Sequence, residues 1–254
     1  MLQRQAPLGS ACAETWAMSP AGDSCLILTF AQVLSPEANR QAARCARHLN
    51  EAVLRGELVG ITDIVPAMVC VGVHYRPEHV THTEGQSPYA ALADQLAAVM
   101  RKAATAEADA PRLIEIPVCY GGEHGPDLEE VATSLGIAPE AVIELHTGQW
   151  LDVLMVGFAP GHPYIGVLDA SLAPPRKATP RTKVAAGSIG LANRQSVIYP
   201  LELPGGWNLI GRTPLTLFDA RRQEPCLLQN GDKVRFVPIE ASTFASILNE
   251  ERFS

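Results

Sequence analysis

Between Gly157 and Pro214 the chain carries six cationic residues, Arg176, Lys177, Arg181, Lys183, Arg194 and Arg212, against only Asp169 and Glu202. That local excess of positive charge sits in a chain whose net charge is −7. Proline and glycine recur every few residues through this stretch and restrict the loops that carry the charges. Arginine and lysine held on stiff loops suit a carboxylate or phosphate, because a guanidinium can bond two oxygens at once. The competing reading is a solvated cationic face, and composition does not separate the two.

Several other chemistries lack their residues. There is no G-x-x-x-x-G-K-[ST] phosphate loop, so the chain is not a P-loop ATPase. Ala186-Gly187-Ser188-Ile189-Gly190 nearly copies a nucleophile elbow, but alanine stands in place of the first glycine. No H-E-x-x-H occurs, and His74, His79 and His82 read as an exposed loop after a strand, with no metal expected. Asp127 to Leu145 resembles a helix-turn-helix. Its second helix holds Glu140 and Glu144 and no cation, so phosphates would repel it and a structural helix pair is the better reading.

These residues need elements to hold them. A length of 254 residues with 47% hydrophobic and 19% charged content fits a packed soluble chain of one or two domains. The acidic balance argues against a nucleic-acid or anionic-membrane binder. No signal-peptide run or membrane-length apolar stretch is present, so a cytoplasmic protein is expected. Six scattered cysteines, Cys12, Cys25, Cys45, Cys70, Cys119 and Cys226, then read as reduced thiols.

Residues 24–110 alternate strand and helix signals, after a tail at 1–23. Ser24–Phe30, Ile61–Val65 and Met68–Tyr75 read as strands, with Val69, Val71 and Val73 on one face. Ser35-Pro36-Glu37 and Ser87-Pro88 are helix starts. Ala42, Cys45, Leu49 and Val53 mark the buried stripe of the first helix, and Tyr89, Leu92, Leu96 and Val99 that of the second. With Leu113–Tyr120 the order is β-α-β-β-α-β, a ferredoxin-like unit, unless that last strand is the link into the next domain. Arg101–Ala110 reads as the linker. Residues 111–254 have a different texture: short apolar runs such as Leu151–Val156, Gly187–Ala192, Leu215–Phe218 and Lys233–Pro238 between glycine and proline, with helices at Asp127–Leu135, Pro139–Leu145 and Ala241–Leu248. That pattern suits an all-β barrel with structured loops.

Four motifs, in order, carry a resemblance to a known family. Gly157-Phe158-Ala159-Pro160-Gly161-His162-Pro163-Tyr164-Ile165-Gly166 is similar to its G-F-x-P-G-F-P-Y-L-G. Ala178-Thr179-Pro180-Arg181 through Gly187-Ser188 resembles A-T-P-R-x-x-V-P-x-G-S. Tyr199-Pro200, then Pro204-Gly205-Gly206-Trp207 through Gly211-Arg212-Thr213-Pro214, resembles Y-P…P-G-G-W-x-x-I-G-R-T-P. Ile116–Glu123 and Leu145-His146-Thr147 fit as well. The resemblance is to the family that groups KipI, allophanate hydrolase subunit 1 and the B-type 5-oxoprolinase subunits. The chain departs from it where His162 replaces phenylalanine, where Asn193-Arg194-Gln195-Ser196 replaces a glycine-rich run, and at His124.

The resemblance implies an α+β chain, with a small ferredoxin-like α/β domain followed by a cyclophilin-like β-barrel. It implies the B-type component of an ATP-dependent 5-oxoprolinase, inactive alone. This chain would pair with a protein like KipA, the C-type component. With an A-type component as well it would open 5-oxo-L-proline to glutamate, with ATP bound mainly on a partner. Other branches of the family imply an inhibitor of a sensor histidine kinase, or a carboxyltransferase component of urea or allophanate metabolism. Within the chain, Arg181 and Arg212 are the expected anion clamps. His146 and Tyr164 are the candidate proton-transfer groups, Thr179, Ser188 and Gln195 are placed to orient a ligand, and Trp207 is placed as a wall. Each has a structural alternative: an Arg212–Asp219 ion pair, a Trp207 that fills a barrel end, a core His146, or a Tyr164 that anchors its loop.

Overall fold

The computed structural model describes residues 16–103 and 110–253. Cys12 and most of the stretches read as tail and linker lie outside them. The chain divides into two compact units, Met1–Ala110 and Pro111–Ser254. It is α+β, a ferredoxin-like sheet unit followed by a cyclophilin-like barrel.

The first unit contains β1 (Ala17–Pro20), β2 (Cys25–Thr29), α1 (Pro36–Leu54), β3 (Ile61–Pro66), β4 (Cys70–Tyr75) and α2 (Pro88–Ala103). The sheet order is β1-β2-β4-β3, antiparallel throughout. β2 and β3 are therefore parallel with β4 between them, the split βαβ arrangement. The outer position beside β2 is taken by β1, from within the stretch read as a tail. Leu113–Tyr120 belongs to the barrel instead.

Both helix starts are built as their residue types dictate. Ser35 is extended and its Oγ accepts the Ala38 N–H at 3.1 Å. Ser87 Oγ accepts from Ala90 N–H at 3.2 Å. Each hydroxyl satisfies a donor that the first turn leaves unpaired. Ala42, Cys45 and Leu49 of α1 and Leu92 and Leu96 of α2 are fully or almost fully buried, each large side chain contributing about 2 kcal/mol of apolar burial.

The second unit adds β5 (Leu113–Tyr120), α3 (Leu128–Leu135), α4 (Pro139–Thr147), β6 (Leu151–Val156), β7 (Pro163–Gly166), β8 (Arg181–Val184), β9 (Ser188–Ala192), β10 (Gln195–Ile198), β11 (Leu203–Gly205), β12 (Asn208–Arg212), β13 (Lys233–Pro238) and α5 (Ala241–Phe253). Seven strands close in the order β10-β7-β6-β13-β5-β12-β9. Among the described strands, only β5 and β13 pair in parallel. β8 and β11 form a separate two-stranded ribbon. Leu215–Phe218, one of the short apolar runs of the barrel pattern, is a loop with a bridge from Phe218 to Cys226; it follows Pro214, which has no N–H to offer a ladder. Helices α3 and α4 pack on the barrel through Leu128, Val131 and Val142, as a structural pair does.

Period-two alternation sorts the barrel side chains into two layers. Ile165, Ile189, Leu191, Ile198, Ile210 and Phe236 point into the main core. Ala192, Val197, Tyr199 and Leu209 point outward and join Trp207, Val184 and Leu203 in a second, smaller cluster on the outer wall, beside the ribbon. Gly190 makes room for it, since a Cβ there would come within 2.6 Å of Trp207 Cβ. The β9–β10 hairpin turns through Asn193 and Arg194, at φ 50° and 64°. Both central residues thus adopt the left-handed region a two-residue hairpin favours, which explains the glycine-rich alternative the family uses there.

Candidate functional site

The outer wall beside the ribbon gathers charged and aromatic groups around one carboxylate. Asp127 stands just before α3 and is buried. Its Oδ1 accepts from Arg181 Nη2 at 2.7 Å and from Lys177 Nζ at 3.1 Å, and its Oδ2 from the Leu209 N–H at 2.7 Å. Burial alone would raise its pKa, but the bonds from Arg181, Leu209 and Lys177 outweigh burial and hold it below the usual carboxylate value. Lys177 also reaches Glu130 at 2.8 Å. One buried acid thus ties the 176–181 loop and the start of β8 to β12.

Next to this hub lies a group of rings. Tyr164 and Trp207 are 6.1 Å apart, His162 is 5.1 Å from Tyr164, and His162 is 5.3 Å from Tyr199. Tyr199 is buried, with its hydroxyl directly over Gly205, where a Cβ would come within 2.0 Å of the oxygen. Burial pushes that hydroxyl up to about 12, so it stays protonated and remains a donor. Three buried polar atoms here, Tyr199 Oη, His162 Nδ1 and Arg181 Nη1, have no hydrogen-bond partner among the described residues. Burial also lowers His162 to about 4, which keeps its ring neutral. Arg176 places its guanidinium carbon 4.5 Å from the Trp207 ring centroid.

The residues expected from sequence divide between this place and others. Tyr164, Arg181 and Trp207 are here, and Thr179 lies exposed on the 176–181 loop. Arg181, though, commits one guanidinium nitrogen to Asp127. His146 is elsewhere, fully buried in the barrel interior. Its Nδ1 lies 2.7 Å from Tyr120 Oη and its Nε2 3.0 Å from Ser196 Oγ, and it stacks on Phe236 at 4.2 Å. Burial lowers its pKa to about 3. Neutral, with both nitrogens occupied, it has the features of a core histidine.

Arg212 serves a third neighbourhood. Its Nε donates to the Ala186 carbonyl at 2.8 Å and its guanidinium lies 5.8 Å from the Phe244 ring. The alternative Arg212–Asp219 pair is absent; Asp219 binds its neighbour Arg221 at 2.7 Å. Ser188 is buried opposite Arg212 on β9, and Gln195 faces Gly166 across the β10–β7 ladder. The structure therefore does not bring Arg181 and Arg212 to a common partner. Asp127, Tyr199 and His162 are not among the residues expected from sequence, although each stands inside a recognisable motif: the acid ahead of an amphipathic helix, the Tyr199-Pro200 pair, and the departure from phenylalanine.

Among the described residues no helix is long and apolar enough to cross a membrane, and no group of three or more metal-ligating side chains gathers. Among the described residues no disulfide joins the cysteines.

The chain is similar to several known proteins. The model of the family "Carboxyltransferase domain, subdomain C and D" matches residues 16–228. The 5-oxoprolinase B subunit of Bacillus subtilis (strain 168) is 37% identical over 232 residues, covering 90% of this chain and 95% of that protein. The crystal structure of TTHA0988 matches with a TM-score of 0.70 at 36% identity, covering 85% of this chain; this chain spans 40% of that one. The Kluyveromyces lactis urea carboxylase shares the fold, with a TM-score of 0.71 at 18% identity, covering 97% of this chain and 24% of that one. The chain belongs to the carboxyltransferase domain, subdomain C and D, family, the family of the 5-oxoprolinase B subunits.

Proposed function

We propose that this chain is the B-type component of an ATP-dependent 5-oxoprolinase and works in a complex with A-type and C-type (KipA-like) partners to open 5-oxo-L-proline to L-glutamate. The observation that carries this reading is the near end-to-end likeness to the Bacillus subtilis protein. A five-membered lactam is a stable amide; phosphorylation of its oxygen at the expense of ATP activates the carbonyl carbon toward water, the adduct expels the ring nitrogen to leave an acyl phosphate, and hydrolysis of that acyl phosphate gives glutamate and phosphate. The chain has no phosphate loop of its own, so ATP binds mainly on a partner.

The part left to this chain is to hold a small anionic substrate and keep it oriented. The outer wall suits that role. Its aromatic rings pack against one another, its loops are braced by the Asp127 hub, and the buried Tyr199 hydroxyl stays protonated beside Gly205, in a low-dielectric setting where a hydrogen bond to charge counts for more than in water. His146, enclosed and satisfied, serves the barrel instead.

Co-expression with both partners tests this reading. Glutamate release from 5-oxoproline with ATP is measured while each component is omitted in turn. Omission of this chain abolishes release. Undiminished release without it removes the assignment, and a requirement for a biotinyl partner moves the chain to urea or allophanate chemistry.

A further inference from the structure

Of the six cations between Gly157 and Pro214, five are committed to oxygen atoms of the protein itself. Lys177 and Arg181 bond Asp127, and Lys177 also bonds Glu130. Lys183 pairs with Glu202 at 3.0 Å. Arg194 Nε donates to the Leu168 carbonyl at 3.0 Å and Arg212 Nε to the Ala186 carbonyl at 2.8 Å. Arg176 differs. Its recorded partner is the face of Trp207, and among the described residues no carboxylate or carbonyl oxygen reaches it.

Stacking on an indole face fixes the plane of a guanidinium and leaves the N–H groups along its edge open. Those N–H groups form the fork that matches a carboxylate. Charge points the same way. Asp127 and Glu130 offset Lys177 and Arg181, so Arg176 is the uncompensated charge of the loop. A second observation lies in the same cluster: the Tyr199 hydroxyl, packed together with Trp207, is buried and has no hydrogen-bond partner among the described residues.

We infer that Arg176, steered by Trp207, is the residue that binds the carboxylate of the substrate, a role the sequence motifs assign to Arg181 and Arg212. The ligand class is a small monocarboxylate. This deepens the proposed function and rests on it for the identity of the substrate, but not for the chemistry of recognition. Arg181 becomes a positioning residue that acts through Asp127.

The test uses the assembled complex without ATP. Equilibrium binding of L-5-oxoproline is compared with that of 2-pyrrolidinone, the same ring without the carboxylate. Arg176→Gln weakens binding of the acid about 10-fold, the loss of one charge-assisted contact, and leaves the neutral lactam unchanged. Arg176→Lys recovers part of the loss. Lys183→Gln, which removes the same charge from the ribbon, changes acid binding less than about twofold, as a screened surface charge should. Unchanged acid binding in Arg176→Gln, or equal losses for acid and lactam, overturns the inference.

A second arm does not depend on 5-oxoproline. Benzoate is added to the full chain while the Trp207 indole N–H resonance, assigned from the Trp207→Phe spectrum, is followed. It shifts in the wild type and stays still in Arg176→Gln. No shift in the wild type overturns the Arg176 assignment. A shift in a complex that neither binds nor opens 5-oxoproline upholds it and removes the proposed substrate.

Discussion

The barrel interior and the outer wall beside the ribbon both bury histidine and tyrosine, but they use them differently. Inside, His146 has a hydroxyl on each ring nitrogen and a phenylalanine against its face. Outside, His162, Tyr199 and Arg181 each keep a buried polar atom without a partner among the described residues. A polar group that is fully satisfied contributes to the specificity of the core, while one left open has a cost that a bound group can remove. Burial of a titratable side chain therefore does not by itself mark a site.

The sharpest break in this contrast comes from His146→Ala. It opens a cavity against Phe236 and leaves the Tyr120 hydroxyl without its partner, while Ser196 keeps its bond to the Gly190 carbonyl, so it costs about 4 kcal/mol of stability, read by thermal or denaturant unfolding. A loss under about 1 kcal/mol would mean that the interior network is not structural.

Asp127→Ala comes next. It leaves Arg181 and Lys177 without their shared acid and costs about 3 kcal/mol. The pH dependence has a definite sign. Asp127 is held below its ordinary value of 3.8, so its contribution is present above pH 3.8 and is lost as pH falls through the lower folded value. Asp127→Asn removes that acid limb from the stability profile.

Gly205→Ala pushes a methyl group into the Tyr199 hydroxyl, an overpacking cost of about 2 kcal/mol. Tyr199→Phe relieves part of it, so the two substitutions are non-additive in a double-mutant cycle. Additivity would show that Tyr199 is free to move away from the ribbon.

The smallest effect is a pH effect shared by the two regions. His162 and His146 are lowered from 6.5 to about 4 and about 3 by burial. The unfolded chain takes up their protons first, so stability falls as pH drops below 6.5 and goes on falling to those lower values. At pH 5.5 each costs about 1 kcal/mol. His162→Phe removes its share and leaves that of His146, which the slope of stability against pH reports.

Local chemistry was legible in the sequence, and long-range pairing was not. The serine caps of α1 and α2, the bounds of β13, and helices α3 and α4 ahead of β6 follow from capping residues, periodicity and turn types within a few positions of each element. The fate of individual polar groups depends on partners far along the chain. His146 meets Ser196 and Tyr120, and Arg181 meets Asp127, across 50, 26 and 54 residues. No local pattern specifies such pairs, so His146 and Arg181 could be chosen as chemically apt without any sign that the fold had already engaged them. β1 escapes a sequence reading for a related reason: a four-residue edge strand with proline at its end carries almost no periodic signal.

The most direct measurement of where the site lies is hydrogen–deuterium exchange on the assembled complex, with and without 5-oxo-L-proline. Slower exchange confined to residues 157–166, 176–181 and 203–207 is the predicted result. Protection that appears instead around His146, Ser196 and Phe236, with the outer wall unchanged, would contradict the account.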